Sequence, residues 1–590
     1  MIDARHRWLV LIGVAVAYAI AYLPVLDAGF IWDDPDYVIH NDTLRSSEGL
    51  WRMWFEFGAI PQYYPLVHTT FWVEYQLWGL SPLGYHLVNW LLHGTNAMLL
   101  FFLLRRLGLS WAGLAAFVFL VHPVHVESVA WITERKNVLS GMFYLSAWLV
   151  WTRYERSGSD GQRRSTGLWF GMFALFVCGL FSKTVTATLP AAILLLNWWR
   201  DGRITRRDGL ALLPLFVVGV VAGLYTAWIE AYDLSGTGQG ASGAEWSLAW
   251  TERLLVAGRT FWFYPSKILW PDPLIFIYPR WTIDPANLLQ WLFPIAAVLC
   301  LALLFTLRHR IGRGPLTAAL FHAGTLLPAL GFLNVYPFRY SFVADHFQYL
   351  GSLAAIVLLV HAIRRLAPRG EGACIILAAI PLVLISNMHA RTFENQETLW
   401  TATLAEHEAC WMAHNNLGSL LLDRGDAQRA RHHFQRALHH KSDHKDAKLS
   451  LGLIALQENK LPRAEALFRE VLAEAPEFAP AWANLGLLHA FAKDDDQAEQ
   501  AWRSALGYDP KYTPARKNLA TALRKRGDRE GARRLLEKGL YVTPRDVSLW
   551  VLAAENLLRM MRVDDAKAHA KRALELDPGN TRARQILDGR

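Results

Sequence analysis

The chain has 590 residues, 53% of them hydrophobic and 13% aromatic, with a formal net charge of +9 and four cysteines. The positive charge does not point to nucleic acid, because much of it sits in short connections between apolar runs, where inner-membrane proteins carry it. Cys178, Cys300 and Cys374 fall inside apolar runs and Cys410 stands alone, which excludes a disulfide framework and a zinc spacing.

The mean hydropathy of +0.16 averages two unlike parts. Up to about Met388 the chain is a series of apolar runs, each of the roughly 20 residues a helix needs to cross a bilayer. About eleven spans are expected, at 8–26, 88–107, 111–129, 138–152, 167–181, 184–199, 210–231, 288–307, 315–334, 342–363 and 373–388. The first run reads as a retained span rather than a cleaved leader, since no small-x-small site follows it cleanly.

Every second connection is basic: Arg5-His6-Arg7, Arg105-Arg106, Arg153 to Arg164, Arg200 to Arg207, Arg308 to Arg313 and Arg364 to Arg369. These face the cytoplasm by the positive-inside rule. The acidic and aromatic connections then face the other side. The stretch Phe261 to Tyr278, broken by Pro265, Pro271 and Pro273, reads as interfacial or re-entrant. An odd number of spans follows, which puts the C-terminal part outside a bacterial inner membrane.

The outward connections carry the ionisable residues. Trp32-Asp33-Asp34-Pro35-Asp36-Tyr37 follows the first run, and acids at a membrane edge are costly without a function. His122-Pro123-Val124-His125-Val126-Glu127 ends the third run, Glu134-Arg135-Lys136-Asn137 precedes the fourth, Ser182-Lys183-Thr184 lies between the fifth and sixth, and Asp345-His346-Phe347-Gln348-Tyr349 opens a late one. Arg135-Lys136 breaks the positive-inside trend, which marks it as functional. Plainer readings exist for each: helix caps for the acids, backbone-bonded interfacial histidines for His122 and His125, a snorkelling Lys183, and a mutual pair for Arg339 and Asp345.

Beyond about residue 390 the chain repeats. Gly418, Gly452 and Gly486 recur with Ala430, Ala464, Ala498, Ala532 and Ala566 at a period of 34 residues, and Pro476, Pro510, Pro544 and Pro578 close the units. This is the tetratricopeptide pattern. Five repeats start near 412, 446, 480, 514 and 548. The expected domains are therefore 1–390, membrane-embedded, and 391–590, an α-solenoid. Such solenoids present a concave surface to extended peptides. Asn416, Asn484 and Asn518 hold the same place in their repeats, with Ser450 interrupting the series. They look like the asparagine ladder in the repeats of O-GlcNAc transferases, although Asn before Leu-Gly is also common in the repeat consensus.

The acidic pair, the His-Pro-x-His-x-Glu turn and the Ser-Lys-Thr turn, in this order, resemble the GT-C superfamily of membrane glycosyltransferases. With the repeats attached, nearly the whole chain is similar to the transmembrane-and-tetratricopeptide-repeat O-mannosyltransferase family, as a bacterial relative. Eukaryotic members tend to carry an acid after the Ser-Lys pair, where this chain has Thr184, so a catalytic role for that acid does not carry over. The fold class expected is all-α: a GT-C-like helical membrane core of about eleven spans followed by a tetratricopeptide-repeat solenoid.

The resemblance implies a polyprenyl-phosphate sugar as donor, a polypeptide hydroxyl as acceptor held by the repeat groove, and inversion at the anomeric carbon. A hydroxyl needs a general base; Asp34, ahead of Asp33, is the expected one. Arg135, Lys136, Lys183 and Arg339, with His346, are expected on the donor phosphate. His122, His125, Glu127, Asp345 and Tyr349 are expected to shape the acceptor side, and His125 with Glu127 are candidate ligands of a divalent metal. Two other readings stay open: a GT-C transferase acting on a glycan or lipid with the repeats docking partners, and a non-catalytic membrane scaffold. The clustering of ionisable residues on one face counts against the scaffold.

Overall fold

The structure is a computed structural model that describes residues 4–157, 164–232, 240–241, 243–366 and 371–589. The regular elements among the described residues are all helices, and the chain forms two compact units, Met1–Glu408 and Ala409–Arg590.

In the first unit the helices are α1 (Ala4–Leu26), α2 (Ser47–Phe55), α3 (Pro65–Trp78), α4 (Pro82–Arg106), α5 (Ala112–Val121), α6 (Val126–Ala130), α7 (Arg135–Arg156), α8 (Thr166–Leu180), α9 (Leu189–Asp201), α10 (Arg206–Tyr232), α11 (Trp250–Leu269), α12 (Leu292–Leu307), α13 (Gly314–Leu326), α14 (Gly351–Leu366), α15 (Glu371–Arg391) and α16 (Gln396–Glu406). Each of the eleven expected runs is helical over much of its length. By length and composition four described helices can cross a membrane alone: Trp8–Leu26, Pro82–Arg106, Arg206–Ala231 and Leu288–Leu307. The pair α5–α6, bent by 58° around His122-Pro123, makes a fifth if counted as one span. The runs 138–152 and 373–388 lie in the continuous helices α7 and α15, and the remaining runs are shorter helices or are interrupted. α9 is preceded by a 3-10 turn at Thr184–Thr188, and α14 begins only at Gly351, after a 3-10 turn at Asp345–Gln348. These apolar helices make the unit membrane-embedded. α12 is its outermost member, with Leu292, Val298, Leu299 and Leu303 all more than half exposed, as a lipid-facing helix is.

The two sets of connections separate to opposite ends. At the basic end Arg156 donates to the Arg106 carbonyl (3.2 Å), Arg200 pairs with Glu155 (3.0 Å), Arg164 with Asp208 (2.7 Å), and Arg364 donates to Ser110 (2.7 Å). Parts of the basic connections 153–164 and 364–369, namely 158–163 and 367–369, lie outside the described residues, as does 233–239 of the connection after α10. At the acidic end Lys183 pairs with Glu134 (3.3 Å), His346 with Glu127 (3.0 Å), and Asp33 accepts from Thr133 (2.7 Å). Gly29, just after α1, donates its amide to the Glu394 carbonyl, just after α15 (2.8 Å), so α15 ends beside the start of the acidic loop.

The proline-containing stretch is helical to Leu269 and non-helical from Trp270 to Asn287. Arg253 near the start of α11 donates to the Gly331 carbonyl (2.9 Å) and to Asn334 (2.8 Å), and Ile268 near its end accepts from His122 (3.0 Å). Both ends of α11 are thus tied to segments of the acidic face.

The second unit contains five helix pairs: Trp411–Asp423 with Ala427–His440, Lys445–Gln457 with Leu461–Glu474, Ala479–Phe491 with Asp495–Tyr508, Thr513–Lys525 with Arg529–Val542, and Val547–Arg559 with Val563–Leu576, closed by Thr581–Leu587. The small residues read from the sequence hold the pairs together. A Cβ on Gly418 would lie 2.9 Å from Phe434, and one on Gly486 2.5 Å from Trp502. Only glycine lets these aromatic rings seat on the facing helix.

Candidate functional site

A cavity of about 770 Å³ opens in the first unit. Its polar end is lined by Asp33, Gln62, Tyr64, Glu127, Glu134, Lys136, Asn137, Lys183, Glu230 and His346. Its other arm is apolar, with Ala191 and Leu195 of α9, Phe216, Gly219 and Gly223 of α10, and Leu320, Phe321 and Gly324 of α13.

The aspartate pair is set by the turn after α1. Trp32 adopts a left-handed backbone (φ 46°), which is costly for a bulky side chain and persists only where surrounding structure enforces it. Asp33 lines the cavity, its Oδ1 accepting from Trp131 Nε1 (3.0 Å) and the Thr133 hydroxyl (2.7 Å). Burial pushes its carboxyl up to about 6, against the pull of Lys136. Asp34 is fully buried and does not line the cavity. Its two oxygens accept from the amides of Ile31 (3.0 Å) and Thr133 (2.9 Å). Burial and the neighbouring Asp33 push it far above the usual carboxylate range. The expected order of the two therefore reverses: Asp33 faces the space where chemistry can occur and Asp34 is a backbone clasp.

The cations divide in the same way. Lys136 bonds Glu134 (3.2 Å) and Gln62 (3.1 Å), and Lys183 bonds Asn137 Oδ1 (2.7 Å) and Glu134 (3.3 Å). Burial alone would raise the Glu134 carboxyl, but Lys136, Lys183 and His346 outweigh it and hold Glu134 well below its usual range. Burial also lowers Lys183 relative to an ordinary lysine, while Lys136 is held up by Glu134 despite its own burial. Arg135 instead turns into the core. It pairs with Glu74 and Asn89, donates to the Tyr85 carbonyl (2.9 Å) and to Thr70 (3.1 Å), and lies over the Phe71 ring. Adjacent residues of α7 point about 100° apart, so one serves the cavity and the other the core. Arg339 stands beside the rim, not on the wall, among Tyr336, Tyr340 and Trp246, and pairs with Glu245 (3.4 Å).

Glu127 and His346 meet at the wall: Oε1 is 3.0 Å from Nδ1, and Oε2 accepts from the His346 amide at 3.0 Å. The other predicted site-shaping residues lie outside the cavity. His122 bonds the Ile268 carbonyl and accepts from the Val124 amide (3.4 Å). His125 is closed between the Phe119 carbonyl and the Ser352 hydroxyl, both at 2.8 Å. Asp345 accepts from Tyr278 (3.0 Å), and Tyr349 bonds His93 and Asn96 (both 2.9 Å). The expected metal pair is not supported, because both His125 nitrogens are engaged and Glu127 holds His346. Among the described residues no group of three His, Cys, Asp or Glu side chains could hold a metal ion.

Sequence reasoning missed Gln62, Tyr64, Asn137, Thr184 and Glu230 on the wall. Asn137 and Thr184 stand in motifs singled out above without a role assigned to them, and Glu230 carried a signal as an acid at the end of an apolar run. In the second unit Asn416 donates to the Met412 carbonyl of its own helix (2.9 Å), and Asn484 and Asn518 are half-buried.

The tetratricopeptide repeat family matches residues 397–446, 415–479 and 449–513, and a second repeat description matches 492–557. The chain is similar to the human protein O-mannosyl-transferase TMTC4, 25% identical over 475 residues that cover 68% of this chain and 62% of the relative. It is 27% identical over 296 residues to the Xenopus laevis protein O-mannosyl-transferase tmtc2, covering 46% of this chain and 35% of that one. The Drosophila melanogaster protein O-mannosyl-transferase Tmtc1 is 33% identical over 155 residues, 24% and 18% of the two chains. The chain thus spans less than two thirds of the length of these relatives. A thermophilic tetratricopeptide-repeat protein of Thermus thermophilus, 21% identical, covers 30% of this chain and 97% of its own with a TM-score of 0.27.

Proposed function

We propose that the chain is an inverting glycosyltransferase of GT-C type. It moves a sugar from a polyprenyl-phosphate donor to a hydroxyl of an extracytoplasmic protein held by the repeats, at the outer face of a bacterial inner membrane. One observation carries this reading: a carboxylate, Asp33, and two lysines, Lys136 and Lys183, share the polar end of a cavity whose other arm is apolar. A lipid-linked phosphate has this same two-part character. Similarity to protein O-mannosyl-transferases supports the same class.

In this mechanism the hydroxyl of the acceptor gives its proton to Asp33 as its oxygen forms a bond to the anomeric carbon. The bond from that carbon to the phosphate oxygen breaks, and the electron pair leaves with the lipid phosphate. Lys136 and Lys183 neutralise that charge where it develops. Asp33 Oδ1 is held by Trp131 and Thr133, which aims the carboxylate without consuming Oδ2. Attack from the face opposite the phosphate inverts the anomeric centre.

The test uses the purified full-length protein with a radiolabelled polyprenyl-phosphate sugar and extracytoplasmic protein acceptors. Label should enter protein with the wild type and not with Asp33→Asn. Transfer that survives Asp33→Asn overturns the base assignment. Label entering only lipid or glycan supports the transferase with a non-protein acceptor instead.

A further inference from the structure

The last turn of α10 brings a further carboxylate, Glu230, to the polar end of the cavity. No charged residue lies between Asp208 and Glu230 in this apolar helix, and an acid at the end of such a span is costly without a function. Glu230 lines the cavity, and among the described residues its side chain has neither a hydrogen bond nor an ion pair. The other acids of the wall are engaged: Asp33 by Trp131 and Thr133, Asp36 by His40, Glu127 by His346, and Glu134 by both lysines. The charges that act on Glu230 are Lys136 and Lys183, but each ammonium already has two nearer partners.

An ionised carboxylate repels a phosphate, so in that form Glu230 does not serve the hold on an anionic group. It accepts hydrogen bonds and cannot donate them when ionised, and its two oxygens suit two neighbouring hydroxyls. The group it fits is therefore neutral, rich in hydroxyls, and placed next to whatever the lysines hold.

We propose that Glu230 reads the donor sugar, its carboxylate accepting hydrogen bonds from ring hydroxyls of a hexose whose polyprenyl phosphate rests on Lys136 and Lys183. This rests on the donor class proposed above and deepens it: the residue sets which sugar is accepted, separately from the lipid phosphate.

The experiment measures binding of two probes to the purified full-length protein in lipid nanodiscs: polyprenyl phosphate and polyprenyl phosphomannose. Wild type, Glu230→Gln and Glu230→Asp are compared. The wild type should bind the sugar-bearing lipid more tightly. Glu230→Gln should weaken that lipid by about tenfold or more, the size of one lost charge-assisted hydrogen bond, while leaving polyprenyl phosphate unchanged. That unchanged arm also shows that the variant is folded. Glu230→Asp should fall between. An unchanged ratio of the two affinities, or equal weakening of both lipids, overturns the sugar-reading role and leaves the donor class standing. Failure of the wild type to bind either lipid overturns both.

Discussion

Asp33 and Asp34 are consecutive, yet one residue, Thr133, fixes them for opposite purposes. Its hydroxyl donates to Asp33 Oδ1 at 2.7 Å and its amide donates to Asp34 Oδ1 at 2.9 Å. The first contact aims a cavity-facing carboxylate; the second closes a buried clasp between the turn after α1 and the turn before α7. Asp33→Asn should therefore keep the protein folded while removing transfer. Asp34→Asn turns an amide N–H toward a backbone N–H and should lower stability by about 1–3 kcal/mol. Thermal unfolding in detergent beside a label-transfer assay separates the two. Loss of activity with intact stability in Asp34→Asn, and not in Asp33→Asn, would restore Asp34 as the base.

The base must be ionised to act, and burial pushes Asp33 up to about 6. Transfer efficiency should fall as pH drops through about 6. On the alkaline side the limit comes from Lys183, which burial places below an ordinary lysine. Stability runs the other way. The folded carboxyl titrates above its unfolded value, so its contribution is fully present below the ordinary carboxylate range. It is lost as pH rises through about 6. Asp33→Asn should flatten that decline and raise Tm at neutral pH by a few degrees, on the scale of about 2–4 °C per kcal/mol. An activity profile flat between pH 5 and pH 7, about one unit to either side of that value, would contradict the assignment.

The architecture was legible because both units are periodic. A 34-residue repeat fixes which residues pack, as Gly418 against Phe434 demonstrates, and alternating basic loops place the ionisable turns on one face. Within that face, the sequence could not say which way a side chain points. Arg135 and Lys136 are neighbours of equal charge, and Glu74, on a helix far earlier in the chain, decides that Arg135 faces the core. Likewise His125 looked like a ligand until Phe119 and Ser352 closed both its nitrogens. Glu230 was overlooked because it ends a run that hydropathy alone assigns to lipid.

Arg135 and the two lysines should fail differently when changed. Removing Arg135 leaves Glu74 buried and uncompensated, and a broken buried pair costs about 3–5 kcal/mol. Arg135→Lys cannot reproduce the contacts to Glu74, Asn89, Tyr85 and Thr70 at once and should lose much of that amount. Lys136→Met or Lys183→Met leaves Glu134 the other lysine, so each should cost less stability than the loss of Arg135 while reducing transfer by about 10²-fold or more, the scale of one lost electrostatic contact to a developing charge. Wild-type stability of Arg135→Met would disprove the core role.

The apolar arm offers a test that runs against ordinary expectations for glycine. A Cβ built on Gly324 meets nothing within 4 Å, and the residue lines the arm from α13. Gly324→Leu should therefore be accepted by the fold, with a gain of up to about 1 kcal/mol from helix propensity. It should nevertheless narrow the groove and raise the KM for a long-chain polyprenyl donor, with a smaller effect on a short-chain analogue. Equal kinetics with both lipids would mean that the arm does not hold the tail.

The repeats carry a residue in the left-handed region at the same place in every unit: Gly425, Asn459, Lys493, Gly527 and Met561, with φ of 83°, 60°, 63°, 86° and 62°. Each follows the first helix of its pair, where a C-terminal left-handed residue frees the chain to reverse. Glycine takes this conformation without strain, whereas Lys493 and Met561 take it against their Cβ atoms. Lys493→Gly and Met561→Gly should each stabilise the solenoid by about 0.5–1 kcal/mol, with additive effects because they lie in different repeats. The opposite change, Gly425→Val, should destabilise by at least as much. Chemical unfolding followed by far-ultraviolet circular dichroism reads both signs, and a loss of stability in Lys493→Gly would show that the lysine side chain supplies more than its backbone strain removes.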